Sequence, residues 1–327
     1  MEEKKRFSHF WSSGNSGLLL ITIAVILVFT CVNHNFLSYE SIRSIMNSMS
    51  FAGILTIGMA TLLIGGEVDL SSGAIACFSG LVLALMINAG MPWGLAFIVT
   101  IIFGILCGLI NAFFINKLGF MHFIATLGLM SVYQGFVSII THNKNVAVVP
   151  KGVWIIGSTS VFGIIPLPFF IFAVLIIVYG IILNKTNFGR CVYMCGGNKV
   201  AARLCGVKPV KISTILYANN GMLAAIAGAV LTARMHTASP VAGGSGAVDA
   251  ITAAVLGGVA FTGGSGSMVG CFLGILLLNS FNAGLTAVGF PSYWQIVVRG
   301  CLLVLALLSS NLRSRGSERN KKLKREK

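Results

Sequence analysis

The sequence predicts an all-α polytopic membrane protein with about ten transmembrane helices. Three observations carry that prediction. Hydrophobic residues make up 56% of the 327 and charged residues only 9%. With a mean hydropathy of +0.91, this is more apolar surface than a soluble domain can enclose. Apolar runs of roughly 20 residues, the length that crosses a bilayer, recur along the chain. The net charge of +15 sits in tails and loops beside those runs, a pattern of membrane orientation rather than of nucleic-acid binding.

The candidate spans are 17–36, 45–64, 70–89, 93–114, 121–141, 162–183, 212–234, 248–262, 267–287 and 293–309. Lys4-Lys5-Arg6 and an apolar run from Leu18 have the form of a signal peptide. Asn33-His34-Asn35 then stands where a small-residue cleavage site would be, so the run reads as a retained first span. The eighth candidate is short and glycine-rich and reads as a broken helix. The division is a cytoplasmic tail over 1–16, a transmembrane domain over 17–310 with a cytoplasmic loop at 184–211, and a basic cytoplasmic tail over 311–327.

Ten spans from an inside N-terminus give a charge pattern that can be checked. The predicted inside segments hold Lys4, Lys5, Arg6, Lys117, Lys185, Arg190, Lys199, Arg203, Lys208, Lys211 and eight positives in 313–327. The predicted outside segments hold Arg43, Lys144, Lys151 and Arg234, and Arg299 falls within the last span. The imbalance places both termini in the cytoplasm. The tail reads as a topology anchor that touches anionic membrane lipid.

Gly65-Gly66-Glu67-Val68-Asp69 follows the second span, and Gly243-Gly244-Ser245-Gly246-Ala247-Val248-Asp249 follows the seventh. The interval is an odd number of spans, so a repeat here means two inverted five-helix halves. Asp69 and Ser71 are good N-cap types, which makes Asp69 either a plain cap or the mark of a helix break, while Glu67 reads as solvated. Gly104 with Gly108, and Gly266 with Gly270 and Gly274, repeat at four-residue spacing and read as faces for close helix packing. Arg299, about two turns into the last span, needs a partner at that depth, and Asp249 is the expected one in a structural ion pair.

Polar uncharged residues within the spans are Asn47, Ser48, Gln134, Asn219, Asn220, Asn279, Asn282 and Gln295. Amides at membrane depth act as helix–helix glue or line a pathway. Asn47, Ser48, Gln134, Asn220 and Asn279 are the candidate pathway residues. Amides with few charges suit a neutral polyhydroxyl solute, which needs donors and acceptors rather than counter-charges.

Enzymatic chemistry finds no support. The five histidines show no metal-ligand spacing. Cys191, Cys195 and Cys205 lack a fourth ligand nearby, and no disulfide framework is evident. No Walker A sequence occurs, so ATP is not hydrolysed by that route.

The stretch 189–211 is a basic, glycine-punctuated island. Asn198 is a good N-cap, 199–205 suits a helix, Gly206 is a C′ glycine and Pro209 follows as a stop. Two turns are too short to be stable alone. The segment is either an interfacial basic loop or a docking helix. Its pattern, Phe188-Gly189-Arg190-x-x-Tyr193-x-x-Gly196-Gly197-Asn198-x-x-Ala201-Ala202-Arg203-Leu204-x-Gly206, resembles the cytoplasmic loop of ribose-type sugar ABC transporter permeases. Three more stretches, at 66–73, 248–258 and 292–300, resemble the same family, and the resemblance spans about 45–310. Asn219-Asn220 departs from it, standing where the family carries small residues.

The resemblance implies a multi-pass permease subunit of the bacterial inner membrane that imports a monosaccharide. ATP and Mg would be bound by a separate subunit with two nucleotide-binding domains, and this chain would hold no cofactor. That ATP-binding subunit would dock on Gly196, Gly197, Asn198, Ala201, Ala202, Arg203, Leu204 and Gly206. A second permease copy or paralogue and a periplasmic or lipid-anchored sugar-binding protein would complete the importer. The alternatives are a related permease for another small solute (a sugar-derived signal, a nucleoside or a branched-chain amino acid) and a stand-alone secondary carrier.

Overall fold

The computed structural model describes residues 15–148, 151–161, 163–291, 293–298, 300–305 and 308. Helices dominate, because a chain in hydrocarbon must satisfy its backbone groups internally. In order they are α1 (Asn15–Val32), α2 (Tyr39–Ile64), α3 (Ser72–Asn88), α4 (Trp93–Asn116), α5 (His122–Thr141), the short α6 (Trp154–Ser158), α7 (Leu167–Lys185), α8 (Asn187–Gly197), α9 (Lys199–Leu204), α10 (Pro209–Met235), α11 (Gly246–Leu256) and α12 (Met268–Ala287). A last apolar helix, α13, covers Tyr293–Leu305. Four two-residue strands, β1 (Val146–Ala147), β2 (Ser160–Val161), β3 (Ile165–Pro166) and β4 (Thr237–Ala238), form two antiparallel pairs, β1–β4 and β2–β3.

Apolar helices stand at all ten predicted positions, but they differ in length. Among the described residues six helices are long and apolar enough to cross a membrane: α2, α4, α5, α7, α10 and α12. At the other four predicted positions stand shorter apolar helices, α1, α3, α11 and α13. The 17 residues of α3 reach about 25 Å and the 11 of α11 about 16 Å, against roughly 30 Å of hydrocarbon. Both are short because both begin inside the bundle, at the breaks 65–71 and 239–245, where Ser72, Gly73, Gly246 and Ala247 are buried.

At the centre lie α2 and α10. Every residue of α2 from Met49 to Ile64 except Phe51 and Ala52 is buried, and α10 packs against α4, α3 and α2. Small residues allow that approach. A Cβ added at Gly221 would lie 2.1 Å from the Gly104 carbonyl oxygen, and one at Gly108 would lie 2.2 Å from that of Tyr217. The helices α11 and α12 meet the same way, Gly270 against Gly257 and Gly274 against Ala253. Gly266 lies instead in the turn before α12, with φ +153°. Outward faces remain apolar: Ile98, Ile102 and Leu106 of α4, Phe123, Ile124 and Leu127 of α5, and Ile177 and Ile181 of α7 are exposed. Such a girdle belongs against lipid.

Candidate functional site

At one end of the bundle the chain leaves α7 and makes two short helices. Thr186 caps α8, its Oγ1 accepting from Gly189 N at 3.2 Å. Asn198 caps α9, its Oδ1 accepting from Val200 N at 2.8 Å and Ala201 N at 3.0 Å. The far end closes on Gly206 (φ +80°), with Val207 N donating to Ala202 O at 3.0 Å. Pro209 then starts α10. The caps hold where the sequence places them because each satisfies backbone groups that six residues of helix cannot.

Two faces of α9 differ. Ala202 is 1% exposed and packs on the chain's own body, so it is a seat residue rather than an outward contact. Ala201 and Arg203 are exposed, and Val200 and Leu204 are 65% and 85% exposed. Val200 and Leu204, one helical turn apart, make an apolar knob with nothing on it. Their i, i+4 spacing is the signal in the sequence that marks Val200 beside the expected contact Leu204.

The junction of α8 and α9 rests on backbone. A Cβ at Gly196 would fall 1.8 Å from the Ile64 carbonyl oxygen at the end of α2. A Cβ at Gly263 or Gly264 of the 257–267 turn would lie 2.8 Å from Gly196 O or Gly197 Cα, and Gly264 N donates to Ile64 O at 2.8 Å. Tyr193 OH donates to Gly266 O at 2.8 Å. Gly197, Asn198 and Gly206 are exposed.

Just beyond α2, Glu67 is 3% exposed. This corrects the solvated reading. Its Oε1 lies 2.7 Å from Lys199 Nζ, and its Oε2 lies 3.3 Å from Tyr217 OH and 3.7 Å from His122 Nδ1. Asp69, fully buried, does more than cap. Its Oδ1 accepts from Ser71 N (2.8 Å) and Ser71 Oγ (2.6 Å), and its Oδ2 accepts from Asn220 Nδ2 (2.8 Å) and Asn111 Nδ2 (3.1 Å). Four donors satisfy the carboxylate and tie the first break to α4 and α10.

The second break meets the first. A Cβ at Gly73 would lie 2.2 Å from the Gly243 carbonyl oxygen, so the starts of α3 and α11 touch inside the bundle. The echoed aspartates have unlike surroundings: Asp249 is half-buried and accepts from Ser245 Oγ at 3.0 Å. Arg299, its expected ion-pair partner, lies outside the described residues.

Away from α9, a polar cavity of about 330 Å³ opens between α2, α12 and α13. Ser41, Ser44 and Ser48 line it from α2, Asn279, Asn282 and Thr286 from α12, and Gln295 from α13. Gln295 Nε2 donates to Thr286 Oγ1 at 3.0 Å. Among the described residues, the buried Asn282 Oδ1 has no hydrogen-bond partner, nor does Asn47 Oδ1. Of the predicted pathway residues, Ser48 and Asn279 are on this cavity and Asn47 is next to Ser48 on α2. Asn220 is bound into the Asp69 cluster, and Gln134 is half-buried on α5. Asn219 faces a separate, mostly apolar cavity of about 180 Å³, where it accepts from Tyr179 OH. Asn282 and Gln295 are visible in the sequence as intramembrane amides, and Thr286 carries no signal there beyond being polar. Among the described residues no group of three His, Cys, Asp or Glu is placed to hold a metal ion.

Residues 41–307 match the family model described as branched-chain amino acid transport system / permease component. The ribose import permease protein of Bacillus subtilis is 34% identical over 314 residues, covering 95% of this chain and 97% of its own. The xylose transport system permease protein of Haemophilus influenzae is 31% identical, covering 89% and 94%. The L-arabinose transport system permease protein of Escherichia coli is 30% identical, covering 92% and 91%. No solved structure matches the chain.

Proposed function

The chain belongs to the branched-chain amino acid transport system / permease component family, and from that premise we propose that it is the membrane subunit of an ATP-driven importer for a pentose-like monosaccharide. It is a multi-pass membrane protein, and its relatives include ribose, xylose and L-arabinose transport permeases. The single observation that carries the reading is α9. A six-residue helix capped at both ends, seated by Ala202 and exposing Val200 and Leu204, is an unfinished interface. We assign it to a separate ATP-binding subunit with two nucleotide-binding domains, since the sequence holds no Walker A motif of its own.

The solute class follows from the cavity. Its polar lining is hydroxyls and side-chain amides, and its volume of about 330 Å³ lies at the small end of the usual ligand range of roughly 300–1,000 Å³. Lining hydroxyls and amides such as those of Ser48 and Asn279 can donate to and accept from a polyhydroxyl solute. A zwitterionic amino acid would want fixed charges, and the described lining offers none. A second permease copy or paralogue and a sugar-binding protein on the outer face complete the proposed assembly.

The test is uptake into membrane vesicles carrying the chain together with an ATP-binding subunit and a sugar-binding protein. Labelled D-ribose, D-xylose and L-arabinose serve as probes. ATP-dependent accumulation of one of them is expected, with uptake and ATPase association both lost in Val200→Glu with Leu204→Glu. Accumulation that needs no ATP, or that survives this double change, would establish a stand-alone carrier instead.

A further inference from the structure

We infer that Glu67 and Lys199 are positioning residues for transport, forming an ionic strut that holds the docking helix α9 in register with the break between α2 and α3. The inference rests on the proposed reading of α9 as the ATPase-docking element.

The pair is oddly placed for a purely local role. Glu67 is 3% exposed, and a carboxylate taken out of water is costly unless it is paired. Its closest partner is the first residue of a helix 132 positions away. A cation at a helix N-terminus opposes the helix dipole, so Lys199 does not serve α9 itself. The distance of 2.7 Å makes it a direct contact between docking element and break.

What surrounds the strut makes it mechanical. Gly196 lies against the Ile64 carbonyl and the 257–267 turn with no side chain between them. On the other side of Glu67, the Tyr217 hydroxyl reaches Val68 O at 3.1 Å. One residue further on, Asp69 fastens the break to α4 and α10. A displacement of α9 therefore reaches the start of α3 through a short run of rigid contacts. A contiguous path is a structural warrant only, and coupling must be measured.

A double-mutant cycle measures it. Glu67→Gln, Lys199→Met, the double variant and Lys199→Arg are placed in vesicles with the ATPase and binding protein, and pentose accumulated per ATP hydrolysed is recorded. The probe is whichever of labelled D-ribose, D-xylose and L-arabinose the unaltered chain accumulates. Each neutralising single variant should keep ATPase association and hydrolysis and lose about tenfold in solute moved per ATP. The double should be no worse than either single, and Lys199→Arg should stay near the unaltered value. Since the double leaves no buried charge unpaired, it decides the matter if a single variant fails to fold. Neutral variants that move as much solute per ATP as the unaltered chain would overturn the strut while leaving the transport reading intact. An unaltered chain with no ATP-dependent uptake of any of the three would overturn both.

Discussion

Asp69 shows how one side chain fixes a break in a helical bundle. Its carboxylate takes donors from its own turn and from Asn111 and Asn220 on two other helices. Asn111 is itself held, its Oδ1 accepting from Tyr133 OH at 3.1 Å. Removing the acceptor strands the buried Asn220 amide, at a cost of about 1–3 kcal/mol, and leaves Asn111 Nδ2 only its 2.7 Å bond to Ser71 Oγ. Asp69→Ala should therefore lower the detergent melting midpoint markedly or abolish folded protein, with Asp69→Asn milder, as fluorescence-detected size exclusion would show. An alanine variant that melts like the unaltered chain would refute the cluster's role. The local half of this arrangement was legible: Asp-Leu-Ser before an apolar run signals a carboxylate bonding the backbone two residues on. The other half was not, because Asn111 and Asn220 lie 42 and 151 residues away, and nothing in a single sequence marks such amides as partners. The same blindness left Glu67 read as solvated, since a carboxylate beside a span looks exposed until Lys199 is brought to it.

At the scale of elements, packing is decided by where glycine meets backbone. The spacing of Gly104 and Gly108 announced a close-packed face on α4, but not that Gly221 of α10 fills it. A methyl at Gly221 would meet the Gly104 carbonyl oxygen at 2.1 Å and Gly108 N at 2.9 Å, and backbone atoms cannot turn aside. Gly221→Ala should cost about 1–3 kcal/mol, the usual range for overpacking, and Gly221→Val should yield little folded protein. Gly128 on α5 is the control. A Cβ there meets nothing within 4 Å, so Gly128→Ala should be neutral or stabilising by about 0.5–1 kcal/mol through reduced backbone freedom. The melting midpoint should fall for Gly221→Ala and stay or rise for Gly128→Ala, and equal shifts would sink the argument. The inner starts of two helices are hidden from the sequence for a related reason. Hydropathy scores α3 and α11 as apolar segments but cannot see that each starts inside the bundle, where glycine lets Gly73 and Gly243 touch.

Over the whole molecule, the short helices leave the alternation of chain direction intact. Lys185, Arg190, Lys199, Arg203, Lys208 and Lys211 flank or lie in α8 and α9, and Asn116 Nδ2 donates to Thr214 Oγ1 at 3.1 Å, bringing Lys117 to the same end. Arg43 begins α2, Lys144 follows α5 and Arg234 ends α10 at the opposite end. From the positive-inside rule we propose that the α9 end faces the cytoplasm. Two cysteines test this, both outside the spans. Cys205, the C-cap of α9, is exposed. Cys195 of α8 is buried, and that burial pushes its thiol above the ordinary range, which suppresses the reactive thiolate. With only Cys205 retained, a membrane-impermeant maleimide should label inverted vesicles and not spheroplasts. With only Cys195 retained, neither preparation should react. Bound ATPase should protect Cys205, since its neighbour Leu204 is the most exposed part of the proposed docking knob. Labelling of Cys205 from the outer face would invert the orientation and remove α9 from any partner that draws on cytoplasmic ATP.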